Sequence, residues 1–409
     1  MTRVGEPVLI TGATGFIGGL LLARLVRERR VVRVLVRKPA DRERLAVTRG
    51  VELALGALGD DEALVRAADG CGVVYHVAGM NRLCLADPSP LYRVNVEGTR
   101  RVLLAARKAG VRRVVYTSSA ATLGGDGTRV VDEKTAQPGE FTSHYARSKF
   151  EAEQVALSFH GLEVVAVNPS SVQGPGRTTG TAKVFIDYLN GKLPFDLPAR
   201  FGLCYTEDCV SGHLLAETNG TAGQRYVLNT ATLSNVDAID LIGEIAGLRR
   251  RPRTLPLGVA MAVATGVELV SRWRGQEPSL CRESVRTLGH PHLYDGSRAE
   301  RELGLRYTPI RAALEATVRW YLEQGLVDQE LPGIAVAPAE MATRRSDGDG
   351  GSRGVKGSPS VRRSSGTGAV RVGAADAEDQ RQPEAATPEG DGERGEEPPP
   401  TAEERRDDL

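Results

Sequence analysis

The sequence predicts an α/β fold: a doubly wound parallel sheet followed by a smaller C-terminal lobe and a low-complexity tail. Three observations carry that expectation. Short apolar runs suited to buried parallel strands occur at Pro7–Ile10, Val31–Val36 and Val111–Thr117. Gly12, Gly15 and Gly18 follow the first run at three-residue spacing and open a stretch of helical apolar periodicity from Phe16 to Val26. After about Pro332 the composition turns to Gly, Ser, Pro, Glu, Asp and Arg, which cannot bury a core.

The first strand and its glycines read TGATGFIG over residues 11–18. Glycines let such a turn be tight and let a pyrophosphate approach the backbone, while a helix N-terminus presents unpaired N–H groups and a partial positive charge to the anion. Gly12, Thr14, Gly15, Phe16, Ile17 and Gly18 are therefore candidate dinucleotide-binding residues. A glycine triplet alone also serves strand-to-helix packing, and it is the later residues that make the cradle specific.

The second strand ends at Arg37-Lys38, where a dinucleotide fold that binds NAD would place Asp or Glu. A carboxylate there hydrogen-bonds the ribose 2′-hydroxyl, whereas a guanidinium pairs with a 2′-phosphate. Arg37 thus favours NADP over NAD. Asp41 is the nearby countersign, and a solvated loop cation is the plain alternative.

The strand Val111–Thr117 delivers Ser118 and Ser119 at its carboxyl end, the edge where open α/β sheets bind ligands. Tyr145 and Lys149 stand four apart in a helical segment, His144 to Ser158, and so share one face. A free tyrosine has a pKa of about 10, and a neighbouring ammonium favours the phenolate. Such a pair is commonplace on helix surfaces, and it gains meaning here from the glycine turn and the serine strand end.

With those residues the chain resembles an extended short-chain dehydrogenase/reductase of the NAD-dependent epimerase/dehydratase family. Within that family it is similar to the dihydroflavonol reductase-like branch, which includes proteins called hopanoid-associated sugar epimerases. The likeness runs from about Val8 to about Gly325 through TGATGFIG, VVYHVAG (73–79), YRVNVEGTRRVL (92–103), VVYTSSAATLG (114–124), HYARSK (144–149), VNPSSVQGPG (167–176) and AERELGL (299–305). It implies a Rossmann core with Tyr145 as general acid/base. Lys149 would hold the nicotinamide ribose and tune Tyr145, and Ser119 would hydrogen-bond the substrate oxygen. Val77 and Ala78 join the cofactor-binding set. Asn95 matches a helix asparagine that supports the proton path, or equally is a buried residue satisfying backbone groups.

The chain also departs from its relatives. Where many have Gly-Asp-Leu to reach the adenine amino group, it reads Gly56-Ala57-Leu58, leaving Asp60 or Asp61 as substitutes. The arginines and amide that grip a nucleotide diphosphate are replaced by Asn168-Pro-Ser-Ser171 and Phe201-Gly202. Met80, Arg82, Ser119 and Asn168 are the candidate substrate-binding residues, and Met80, Leu83, Phe185 and Leu203 are expected to give the wall its apolar lining.

The expected organisation is a cofactor-binding core over residues 1–175, the remaining core strands and substrate lobe over 176–332, and a disordered tail over 333–409. With 53 basic and 52 acidic residues the net charge is +1, so no global field draws nucleic acid or an anionic membrane. Five cysteines without a Cys-x-x-Cys pattern favour a reducing cytoplasm, and scattered histidines argue against a metal. The N-terminus runs straight into the first strand, which leaves no room for a signal peptide. His76 is expected to be a packed or loop-anchoring residue, and His144 to lie near the substrate. Leu255 to Val270, interrupted by Glu268 and followed by Arg272-Trp-Arg274, reads as an amphipathic helix of the lobe and is too short to span a bilayer. The expected partner is a small carbonyl or sugar substrate, with room for a homodimer. Three functions rank in order: NADP-dependent reductase or dehydrogenase, sugar epimerase or dehydratase on the same scaffold, and non-catalytic cofactor-binding protein.

Overall fold

The computed structural model describes residues 6–46, 50–125 and 127–334, so the tail expected over 333–409 lies, from residue 335 on, outside the described residues. The first elements are β1 (Val8–Thr11), α1 (Phe16–Arg27), β2 (Val32–Val36), α2 (Pro39–Ala46), β3 (Val51–Leu55), α3 (Asp61–Ala68) and β4 (Val73–His76). Then come α4 (Ser89–Tyr92), a π-turn over Arg93–Glu97, α5 (Gly98–Lys108), β5 (Arg113–Thr117), α6 (His144–Leu157) and β6 (Glu163–Pro169). The later elements are β7 (Ser171–Gln173), α7 (Thr181–Leu189), β8 (Phe195–Asp196), β9 (Arg200–Tyr205), α8 (Thr206–Asn219), β10 (Arg225–Leu228) and β11 (Ala231–Ser234). The last are α9 (Asn235–Ala246), β12 (Arg253–Thr254), α10 (Leu257–Trp273), α11 (Arg282–Gly289) and α12 (Ile310–Glu323).

Seven strands form one parallel sheet in the order β10-β6-β5-β4-β1-β2-β3. The strand order reverses between β1 and β4, the place where an open α/β sheet leaves a crevice for ligands. Both faces of the sheet are covered, which explains why β1 shows no polar alternation. Val8 and Ile10 pack with Leu21 and Leu25 of α1 and Cys209 and Val210 of α8. Leu9, between them, faces the other way onto Leu64 of α3, Leu103 of α5 and Ala152 of α6. The strand and helix bounds fall within two or three residues of the apolar runs that announce them.

The lobe has its own core, in which Tyr188 of α7, Ile242 of α9 and Tyr321 of α12 are buried together. A three-stranded sheet, β11-β9-β7, borders it. Phe185 and Leu203 belong to this core at 2% and 1% exposure, so they do not line a binding wall; their apolarity serves packing. The folded body extends slightly past Pro332, because the Gly333 N–H donates to the Ala246 carbonyl at 3.1 Å and Ile334 packs against the lobe core.

A disulfide joins Cys84 to Cys281 across 197 residues, with the Cα atoms 5.6 Å apart. Cysteine count and spacing, which favoured reduced thiols, did not announce this bond, since its ends meet only when the lobe folds back on the sheet. Cys71, Cys204 and Cys209 are free and buried. Among the described residues no group of three or more His, Cys, Asp or Glu side chains is placed to hold a metal, and no helix is long and apolar enough to cross a membrane.

Candidate active site

The glycine turn leaves β1 with Gly12 at φ +78°, and a Cβ there would fall 2.6 Å from the Ala78 backbone. Only glycine permits both that conformation and that approach, and the result sets Val77 and Ala78 opposite the turn. At Gly15 an added Cβ would meet only the Gly12 carbonyl, at 3.3 Å, so the turn's outer face is open. The helix that begins at Phe16 has no side-chain cap and no acidic residue in its first turn. Bare backbone and the uncapped, partially positive end of α1 thus face the crevice, and they fit the pyrophosphate of a dinucleotide. Arg37, exposed where β2 ends, lies on the neighbouring strand.

His76 fastens this turn to the next layer. Its Nδ1 lies 2.7 Å from Thr11 Oγ1 and its Nε2 3.0 Å from Thr99 Oγ1. The Thr99 hydroxyl donates to the Asn95 carbonyl at 2.6 Å, so it accepts the Nε2 proton and leaves Nδ1 to accept from Thr11. Burial and the charge of Lys149 push the imidazole down to about 3 and keep it neutral. The loop-anchoring role expected of His76 is the one its contacts show.

Three candidate catalytic side chains meet where β5 ends and α6 begins. The Ser143 hydroxyl accepts the Ala146 N–H at 3.1 Å and starts α6, placing Tyr145 in the first turn and Lys149 one turn below. Ser119 Oγ accepts from the Ala121 N–H at 3.2 Å, which leaves its own proton to donate. Burial raises the Tyr145 phenol above its ordinary value, and the Ser119 hydroxyl and Arg177 charge oppose that shift. The Lys149 ammonium is 5% exposed, donates to the Thr117 carbonyl at 2.7 Å and sits 4.6 Å over the Tyr116 ring. Burial brings it down to about 7, with Glu153 acting in the opposite sense.

Asn95 grips Met80: its Oδ1 accepts the Met80 N–H at 2.7 Å and its Nδ2 donates to the Met80 carbonyl at 3.0 Å and to Ser148 Oγ at 2.9 Å. Its contacts are those of a buried residue satisfying backbone groups. Asn168 corrects the expectation that it touches substrate. It is fully buried and donates to the Ser119 carbonyl at 3.2 Å, to Thr122 Oγ1 at 3.0 Å and to the Glu153 carboxylate. Glu153, also fully buried, is paired with Arg225 of β10 at 2.8 Å and accepts from Thr122. This network lies beneath Ser119 and holds its loop.

Other expected ligands are occupied. Asp60 caps α3 by accepting the Ala63 N–H at 2.9 Å, and Asp61 pairs with Arg101 at 2.8 Å, so neither is spare for an adenine edge. Arg82 pairs with Glu277, and His144 Nδ1 lies 3.1 Å from the Tyr92 hydroxyl. The sequence under-weighted Arg177. Its guanidinium stacks 5.2 Å over Phe16 of the glycine turn, acts on Tyr145, and has a buried Nε without a partner among the described residues. Its place just after the Gly174-Pro-Gly176 turn was the available signal. In the loops that flank β5 and α6 a small, solvent-open groove is lined by Leu123, Arg129, Phe141, His290, His292 and Tyr294 among others, and the trio itself does not line it.

Comparison with known proteins places these features in context. Residues 8–229 match the model of the NAD dependent epimerase/dehydratase family. A protein of Synechocystis sp. provisionally named dihydroflavonol 4-reductase is 35% identical, with 79% of this chain and 97% of that protein aligned. Sterol demethylase protein B of Methylococcus capsulatus is 31% identical over 78% of this chain and 99% of its own length. Among solved structures, the crystal structure of gox2253 superposes with a TM-score of 0.68 at 32% identity, covering 79% of this chain and all of that one.

Proposed function

The chain belongs to the NAD dependent epimerase/dehydratase family and is an NAD(P)-dependent oxidoreductase, and from that premise we propose that it reduces the carbonyl of an external, weakly polar ring compound with NADPH. The observation that carries this reading is the convergence of Tyr145, Ser119 and Lys149 at the carboxyl edge of the sheet, beside the open face of the glycine turn. Bound there, the nicotinamide supplies or accepts hydride. Ser119 donates its free proton to the substrate oxygen and orients it. Tyr145, kept as a phenol at neutral pH, delivers the proton that converts the developing alkoxide to an alcohol. Lys149 lies one turn below, where its ammonium would hold ribose hydroxyls. Arg37 would take the 2′-phosphate and Gly12, Thr14, Gly15, Phe16, Ile17, Gly18, Val77 and Ala78 the rest of the dinucleotide.

One feature supports a weakly polar ring substrate. The relatives are named for a dihydroflavonol and for a sterol, both fused-ring compounds. A panel of ring ketones, followed by NADPH absorbance at equal NADPH and NADH, tests the reading. Net NADPH oxidation with a reduced product is expected.

A second reading, epimerisation or dehydration of a nucleotide sugar, is favoured by Arg177, whose buried guanidinium faces Tyr145 with an unpartnered Nε suited to an anion. Isomerised sugar without net NADPH oxidation, and micromolar nucleotide-sugar binding lost in Arg177→Ala, would select it over the reductase.

A further inference from the structure

The most apolar helix of the lobe is turned outward. α10 packs through Ala260, Ala264 and its single acid, Glu268, which is neutralised inward by Arg272 at 2.6 Å and Arg282 at 3.3 Å. Val259, Val263, Leu269, Val270 and Trp273 are exposed instead, Leu269 at 70% and Trp273 at 85%. With the small residues Ala262 and Gly266, these positions recur at three- and four-residue spacing and share one face that carries no charge. A solvent-facing helix normally shows the opposite distribution, and a continuous apolar stripe of this kind marks an interaction surface.

The charges around the stripe say what it meets. Exposed arginines stand at both ends, Arg253 just before the helix and Arg274 at its C-cap, and neither forms an ion pair among the described residues. Trp273 lies at the same end as Arg274, and an indole with one polar edge beside a cation suits the headgroup level of a bilayer. The helix has 17 residues, about 25 Å, too short and one-sided to span but long enough to lie along an interface. We propose that α10 docks in the plane of an anionic membrane, its apolar face at the acyl boundary and Arg253 and Arg274 on lipid phosphates. α10 packs on α11 through Ala260, Ala264 and Val285, and Glu283 of α11 accepts the His144 N–H at 2.7 Å next to Tyr145. Docking therefore brings the helix pair that is tied to the start of α6 to the lipid surface.

The test is flotation of the full-length protein with vesicles of phosphatidylcholine alone and of phosphatidylcholine with phosphatidylglycerol at about two to one. The protein should float with the anionic vesicles, far less with the neutral ones, and less at about 0.5 M salt. In a Trp320→Phe background Trp273 is the remaining tryptophan of two, and its emission should shift to the blue on binding. Val263→Glu and, separately, Arg274→Glu should lower partitioning at least about tenfold with unchanged melting temperature. Flotation equal in the native protein and both variants, or none with anionic vesicles, overturns the proposal. A dimer in sedimentation velocity that Val263→Glu dissolves, without vesicle binding, also overturns it and assigns the stripe to a second copy of the chain.

Discussion

Tyr145 sits between opposed influences: burial raises its phenol, while the Ser119 hydroxyl and the Arg177 charge favour the phenolate. The net direction is upward, so the group is an acid through neutral pH. Carbonyl reduction should accordingly keep its proton donor across neutral pH and lose it only on the alkaline side, while alcohol oxidation, which needs the phenolate, should rise over that same range. Paired pH–rate profiles check this, and a reduction rate that climbs with pH would remove Tyr145 as the proton donor. Tyr145→Phe should cut turnover by about two to four orders of magnitude with cofactor affinity nearly intact. Near-native turnover in that variant would send the search for the acid elsewhere. At the other end of the crevice, the exposed Arg37 should make NADPH bind more tightly than NADH. Arg37→Ala should narrow the gap by about 1.5–3 kcal/mol in titrations, the scale of a hydrogen bond to a charged group. Equal native affinities for the two cofactors would return Arg37 to an ordinary solvated residue.

At the scale of elements, Ser119 is held from below by three segments distant in sequence. Glu153 of α6, Asn168 of β6 and Arg225 of β10 form one buried polar cluster under its loop. Removing the cation would leave the Glu153 carboxylate buried without its partner, so Arg225→Ala should cost about 3–5 kcal/mol in urea unfolding. A loss below about 1 kcal/mol would show that the pair is screened as at a surface. This cluster also shows where reading the sequence stops. The glycine turn, the strand runs and the Tyr145–Lys149 turn are local patterns, and the elements that carry them formed where the patterns lie. Asn168 looked like a substrate ligand because its motif is local, while the partners that bury it come from α6 and the loop after β5. Phe185 and Leu203 were apolar at plausible positions, yet only packing against α9 and α12 reveals them as core. For α10 the period of the pattern was legible but its direction was not. Which face turns inward depends on Val285 of the next helix, against which Ala260 and Ala264 pack.

For the whole molecule, lobe and sheet are joined at a few points around the crevice, and the disulfide is the covalent one. Cys84 lies in the loop that follows Met80, and Cys281 caps the N-terminus of α11. Around the bond, Arg82 pairs with Glu277, and the Glu283 carboxylate accepts from the Cys84 N–H at 2.8 Å and from the His144 N–H at 2.7 Å. One helix of the lobe is thereby tied both to the wall loop and to the start of the catalytic helix. Closing so long a loop restricts the unfolded chain strongly, and the bond should contribute about 2–4 kcal/mol. The double variant Cys84→Ser/Cys281→Ser should show that loss in chemical unfolding. Its Michaelis constant for substrate should rise more than its turnover falls, since the lobe wall loosens while Tyr145, Ser119 and Lys149 stay on the sheet side. Alkylating the protein in denaturant without reductant gives the direct check. Of five cysteines, the three free ones, Cys71, Cys204 and Cys209, should be labelled, and all five after reduction. Five labels without reductant would mean that the two thiols stand side by side unjoined, and that Glu283 and the Arg82–Glu277 pair alone hold the lobe against the crevice.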